Sequence, residues 1–455
     1  MLKKHFLFEK DFFRTLIAIG LPIALQNVIS SGVTAMDTIM LGQLGDIAVS
    51  GASLGGQTFF LMSMGCFGIC GGAAVLIAQY WGKGQVDVIR RVMRISAMFC
   101  GVLALIFTFI AFNFPQFMLS LFSKEAEVVS AGSSYLKILS IGFIFYALSN
   151  CYFLALRGVE QVKVSTTVYA MSFFVNVFVN YVFIFGKFGA PALGVKGAAI
   201  GTVAARVFEF ICAMVYMYFI EKKIGFKIHC MFKIDTRLLP DFMKYALPVM
   251  GNEIIWGMGS FVTGMIMGRI GSTYVAANSV VAVIYNLSSV FTFGIANSAA
   301  VLCGKTIGQG DMKKAQKAAA TLNLCAFVVG CIMSIVILVV RGPFISLYEI
   351  TPEAKAAAFA MLTVVIFVQP LSAIDIVNII GVLRGGGDTK LALCLDGGGM
   401  WLINIPMSIL LGLVLKAPAP LVFLSMRCDA FIKIFIEIWR IASGKWIRTV
   451  TRDDI

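Results

Sequence analysis

The sequence predicts an all-α membrane protein of twelve transmembrane helices, arranged as two six-helix lobes related by a pseudo-two-fold axis along the membrane normal. Three observations lead there. Hydrophobic blocks of about twenty residues recur along the whole chain, each long enough to cross a hydrocarbon core of about 30 Å. Charged residues are only 13% of the 455, and hydrophobic ones 59%, whereas a soluble domain carries about 25% charged residues. Short motifs also return at a fixed distance. Pro22 and Pro248, Gly42 and Gly268, Gly82 and Gly308 each stand 226 residues apart, AAVL at 73–76 recurs at 299–302, and LRG at 156–158 returns at 383–385.

Taken in order, the blocks predict spans at 15–40, 50–78, 93–114, 132–155, 165–186, 197–220, 242–268, 275–303, 318–340, 356–383, 391–415 and 420–441. With no water to bond their backbones inside lipid, such blocks must be helical. The opening stretch MLKKHFLFEKDFFRT is charged and lacks a small-residue cleavage site, so it reads as cytosolic and retained. Counting loops from there, the inner ones collect Lys83, Arg90, Arg91, Lys222, Lys223 and Lys313, while the outer ones hold few bases, such as Lys187, Arg269 and Arg341. That asymmetry fits an even number of spans with both termini in the cytosol; the chain is expected in a plasma (inner) membrane. Basic loops facing anionic lipid account for the net charge of +14 without nucleic acid. The lobes are then residues 1–220 and 241–455, joined by the polar cytosolic linker 221–240, EKKIGFKIHCMFKIDTRLLP. Six is even, so both lobes begin on the same side, which sets the direction of the axis.

A duplicated twelve-helix chain is a transporter architecture, with lobes that rock around a cavity. Ion channels more often assemble subunits around a pore. Enzyme chemistry finds little support. The only histidines, His5 and His229, lie at the terminus and in the linker, away from any span. The glycine runs GICGGAA (68–74) and LRGGGDTK (383–390) lack the preceding strand and lysine spacing of a phosphate loop. The eleven cysteines lie mostly within spans and form no CxxC pair, so they read as small packing residues. No cofactor is expected, and the chain reads as a monomer.

Carboxylates inside a membrane cost at least about 2.5–3.5 kcal/mol on insertion scales, which makes them functional candidates. Asp37 lies in the outer half of span 1. Asn176 and Asn180 share one face of span 5 at i, i+4, and Thr202 lies about a turn and a half into span 6 from its outer start. Three distant segments thus bring polar oxygens to one depth. Such hard oxygens suit sodium, while protonation of Asp37 alone suits a proton. In the second half, Glu253 and Asp375 each stand five residues after a proline, Pro248 and Pro370. They lie about 16 Å and about 12 Å from the inner ends of spans 7 and 10, comparable depths at which they could meet. Asp396 and Asp46, near helix ends, are expected to reach the interface, and Arg206 with Glu209 share a face at i, i+3. Asp429, Lys433 and Glu437 in span 12 are spaced to pair as a ladder along one face. The abundant Phe and Met suit an adaptable apolar cavity, for which Trp256, Met258 and Phe261, near Glu253, are the wall candidates.

The stretch MDTIMLGQLGDIAVSGASLG (36–55), the paired turns WGKG and IGQG, and the LRG that follows spans 4 and 10 together resemble the multidrug and toxic compound extrusion (MATE) family over nearly the whole chain. Acidic residues in both halves resemble its NorM-type branch. The resemblance implies an antiporter that expels amphipathic, mostly cationic compounds against inward sodium or protons. It carries the first-half cation site onto Asp37, Asn176, Asn180 and Thr202, and a second-half cation or substrate site onto Glu253 and Asp375. Flippases of lipid-linked saccharides share the broader architecture and are the alternative.

Overall fold

The computed structural model describes residues 6–123, 125–227 and 235–452. His5, His229 and linker residues 228–234 lie outside them. The described residues are helical throughout, with no strand among them, and all twelve predicted spans are present. Span 1 is Lys10–Gly42, span 2 Asp46–Lys83, span 3 Val86–Asn113, span 5 Val162–Phe185, and span 6 Val195–Val215 with a π-helical extension Tyr216–Ile220. Spans 7 to 9 are Leu239–Ile270, Ser272–Gly308 and Met312–Ser346. Span 10, Pro352–Ile376, continues as the π-helical Val377–Leu383, and span 11 runs from Thr389 through π-helical segments to Val414.

Most helices overrun the predicted blocks, because a hydropathy block stops at the first charge whereas a helix stops where its end groups are satisfied. Asp311 accepts from the Lys314 amide to start span 9, and Thr351 does the same for Ala354 at the start of span 10. Gly186, in the left-handed conformation, ends span 5.

Two spans are broken. Span 4 consists of Ala126–Leu139 and Gly142–Gly158, bent by 53°. At the bend, Ser140 Oγ donates to the Lys137 carbonyl, and the Ser140 carbonyl accepts from both the Phe143 amide (3.1 Å) and Thr108 Oγ1 of span 3 (3.0 Å). Span 12 splits into Ala419–Ser425 and Asp429–Ala442. There the Asn404 side chain of span 11 accepts from the Asp429 amide at 3.0 Å, standing in for a helix carbonyl. Among the described residues, nine helices and the bent pair are long and apolar enough to cross a membrane. Span 7 is as long but interrupted by Asn252 and Glu253, and span 12 by its break.

Contacts divide the chain into two compact units. One comprises Leu25–Ile77 and Gln85–Met250, the other Met1–Ala24, Ala78–Gly84 and Gly251–Ile455. The duplication is visible inside each. In the first unit, a Cβ on Gly68 or Gly72 of span 2 would strike the backbone of Met250 or Ala246 in span 7. In the second, Gly294 of span 8 lies equally close to Gly20 of span 1, and Ser298 Oγ donates to the Leu16 carbonyl at 3.3 Å. Gly68 and Gly294 are 226 apart, so the repeat carries a repeated helix crossing that small residues make possible.

In the second unit, buried Leu16, Cys303, Ile307, Leu322, Val377 and Leu383 pack into one core. Segment 443–452 closes over that core's edge. Trp446 is fully buried and donates to Gln316 Oε1 (2.9 Å), and Gln79 bonds both the Arg448 carbonyl and the Val450 amide. Arg440 and Arg448 both reach Asp388, which is fully buried, at 2.8 Å. In the first unit, the described part of the linker docks on span 3, where Arg91 pairs with Asp235 at 3.0 Å.

Candidate functional site

The first-half candidates come together. Asn180 Nδ2 donates to Asp37 Oδ1 at 2.5 Å and to Asn176 Oδ1 at 3.3 Å. Asn176 and Asn180 are buried, and Asp37 is half-buried. Thr202 Oγ1 donates to the Ala198 carbonyl of its own helix (3.2 Å) and also meets the Tyr135 hydroxyl, so span 4 joins the cluster. The Asn180 amide must turn its NH2 to the carboxylate. Its carbonyl oxygen is then buried with no donor, over Gly201, where a Cβ would collide with it. A buried oxygen with no proton to accept and an anion beside it is a ligand set for a small cation.

One turn further along span 6, Arg206 pairs with Glu209 at 2.7 Å, and Ser172 donates to Glu209 Oε1 at 2.7 Å. The Arg206 guanidinium lies over the Tyr146 ring, 5.4 Å from its centroid. This pair is therefore internally balanced, as its i, i+3 spacing foretold. Tyr135 and Gly201 were not among the sequence candidates. Gly201 had a faint signal, a small residue directly before Thr202, whereas Tyr135 had none.

The second half departs from expectation. No hydrogen bond or ion pair joins Glu253 to Asp375 among the described residues. Each holds its own cation instead, Arg384 Nη1 on Glu253 at 2.9 Å and Lys433 Nζ on Asp375 at 3.0 Å. Two facing carboxylates repel, and a basic partner within reach of each relieves both. Depth alone could not reveal those partners.

Lys433 is the centre of a larger network. Besides Asp375 it contacts Asp429 at 2.9 Å and Asp396 at 3.2 Å, and Asn252 donates to Asp396 at 3.1 Å. Asp396 thus turns inward rather than to the interface. The ladder in span 12 holds only for Asp429 and Lys433. Glu437, fully buried, takes a hydrogen bond from Asn378 (3.1 Å) and reaches Asp375 rather than Lys433. Asn378 lies in the π-helical end of span 10, a local widening that often accompanies functional residues.

The wall candidates Trp256, Met258 and Phe261 stand about half exposed on span 7. The cysteines among the described residues are free thiols, but three of them, Cys70, Cys100 and Cys151, converge from spans 2, 3 and 4. Sequence spacing hid this, because those spans meet only in three dimensions.

Comparison with known proteins accounts for the pattern. The MatE family model matches residues 22–182 and again 248–410, starts that differ by the internal repeat of 226. The chain is 24% identical over 444 residues to the probable multidrug resistance protein NorM of Thermotoga maritima, covering 95% of this chain and 93% of that one. It is 22% identical to the multidrug resistance protein MdtK of Yersinia enterocolitica over 88% of each. Its fold matches an outward-facing multidrug resistance MATE family transporter with a TM-score of 0.85 at 15% identity, over 95% of this chain and 96% of that one. It matches equally well a MOP superfamily transporter from Pyrococcus furiosus, described as having a binding pocket of reversed polarity (TM-score 0.85, 16% identity, 96% of each chain). Two matched repeats spanning most of the chain, twelve helices and polar groups held inside them place this protein in the MatE family of multi-pass membrane transporters, which are not enzymes.

Proposed function

We propose that the protein is a multidrug efflux antiporter. It exports amphipathic, mostly cationic compounds in exchange for sodium ions or protons by alternating access, from an inner membrane with both termini in the cytosol. Residues 1–220 and 241–455 serve as its two lobes. The observation that carries the coupling is the cluster of Asp37, Asn176, Asn180 and Thr202. One carboxylate is held by an amide whose own oxygen is buried without a donor. A sodium ion or a proton at Asp37 neutralises the group, and a change of occupancy alters how spans 1, 5 and 6 pack. The names of the NorM and MdtK relatives support export of small molecules. Glu253 and Asp375 supply negative charge for the cation or substrate in the second half, with Trp256, Met258 and Phe261 as apolar wall.

The test is transport by purified protein in liposomes. A cationic dye such as ethidium should be moved by an imposed sodium or proton gradient, each tried separately. Asp37→Asn should lose the gradient dependence. Dye movement that ignores both gradients, or an Asp37→Asn protein with unchanged ion dependence, would overturn the reading. Movement of a lipid-linked saccharide alone would replace it with the flippase.

A further inference from the structure

The thiols of Cys70, Cys100 and Cys151 all lie within 4.8 Å of one another, and all three are buried. Cys70 and Cys100 stand 3.5 Å apart, and Cys151 is 3.3 Å from Ser96 Oγ, which also lies 3.7 Å from Cys70. A small cavity that does not admit water opens on this cluster, lined by Cys70, Cys151, Ser96 and Met93 among apolar side chains. The sulfurs belong to three helices separated by loops, so their meeting is a property of the tertiary fold rather than of one turn.

We propose that Cys70, Cys100 and Cys151 form a binding site for a soft monovalent metal ion, copper(I). The geometry is close to ready. Three sulfurs about 2.3 Å from a shared metal, in a plane around it, sit about 4.0 Å apart. The observed separations, 3.5 Å for Cys70 and Cys100 and at most 4.8 Å for the other pairs, lie within an ångström of that value, so sub-ångström side-chain shifts complete the site. The donor set selects the metal. Three sulfurs with no imidazole, no carboxylate and no room for water favour a soft ion content with three ligands, and disfavour zinc, which takes four. Cys66 is adjacent, its carbonyl 4.0 Å from Cys100 and its thiol 3.7 Å from Met62 Sδ, so the surroundings are rich in sulfur as well. Each sulfur that binds as thiolate releases its proton to the bulk buffer as the ion enters, and the Ser96 hydroxyl is placed to donate to one such thiolate. A bound ion would tie spans 2 and 3 to the inner leg of span 4, Gly142–Gly158, and resist any motion that separates them.

The experiment uses the full chain, purified in detergent under reducing, oxygen-free conditions, with the exposed Cys394 replaced by serine to remove a background thiol. Copper(I) is supplied from a bicinchoninate buffer, and copper retained after desalting is counted. The expected result is one copper per chain, bound through a sulfur-only shell by X-ray absorption. Cys70→Ala, Cys100→Ala and Cys151→Ala should each weaken binding at least tenfold, while Cys303→Ala, a buried thiol elsewhere, should not. Stoichiometric copper should also raise the melting temperature of the parent protein, a readout that needs no folded variant. Absence of retained copper, an oxygen or nitrogen shell, no change in melting temperature, or equal binding by the alanine variants would overturn the proposal.

Discussion

Replacing Gly201 by alanine should damage the first-half cation cluster without removing a single polar atom from it. A Cβ at this position would occupy the place of the Asn180 side-chain oxygen, and its next contacts are the Asn180 Cγ at 2.8 Å and the Asn180 backbone nitrogen at 3.1 Å. The backbone cannot yield easily, since spans 5 and 6 are both continuous helices here. The Asn180 side chain must therefore rotate, and it takes with it the hydrogen bond to Asp37. A hydrogen bond to a charged group is worth about 1.5–3 kcal/mol, which at about 1.4 kcal/mol per decade is roughly a 10- to 100-fold change in half-saturating ion concentration. Stability should move much less. Glycine to alanine in a helix gains about 1 kcal/mol, which offsets part of an overpacking cost of about 1–3 kcal/mol. Dye efflux from liposomes, measured against sodium concentration and against pH, reads the first effect, and thermal unfolding in detergent reads the second. Gly56→Ala is the control, because nothing lies within 4 Å of its added carbon. A Gly201→Ala protein with wild-type ion dependence would refute the idea that the Asn180 oxygen and its link to Asp37 form the ion site.

Three further outcomes follow from the second unit. Glu253→Gln removes the counter-charge 2.9 Å from Arg384 and should abolish most dye transport while folded protein still reaches the membrane; normal transport would make the pair purely structural. Lys433→Met strips Asp375, Asp396 and Asp429 of their shared cation, and breaking a buried network from one side costs about 3–5 kcal/mol. It should show as a lower melting temperature, restored in part by Asp429→Asn. Trp446→Ala empties a fully buried site and should cost about 3–5 kcal/mol, with proteolysis of segment 443–452 as a local readout; unchanged protease resistance would mean that the segment is held by Gln79 and Asp388 alone.

The sequence by itself determined the spans, and the reason is the solvent. Lipid tolerates a crossing segment only if about twenty apolar residues bond their backbone groups to one another, so Lys10–Gly42 or Met312–Ser346 is legible from hydropathy with no knowledge of its neighbours. The duplication was legible too, because equivalent crossings such as Gly68 on Met250 and Gly294 on Gly20 demand small residues at equivalent positions. The meeting of Asp37 with Asn180 was accessible because depth and helical face, both countable along the chain, sufficed to bring them together. Only the tertiary structure decided which charges balance. Glu253 finds Arg384, 131 residues away, and Asp375 finds Lys433, 58 residues away, and neither choice follows from depth. The rotation of each helix about its axis, and the neighbour it faces, are fixed by packing over the whole unit. The bend in span 4 and the break in span 12 belong to the same class, since at each a side chain from another helix, Thr108 or Asn404, bonds a backbone group. The three converging thiols do as well, because a cluster of side chains from spans 2, 3 and 4 has no signature along any one of them.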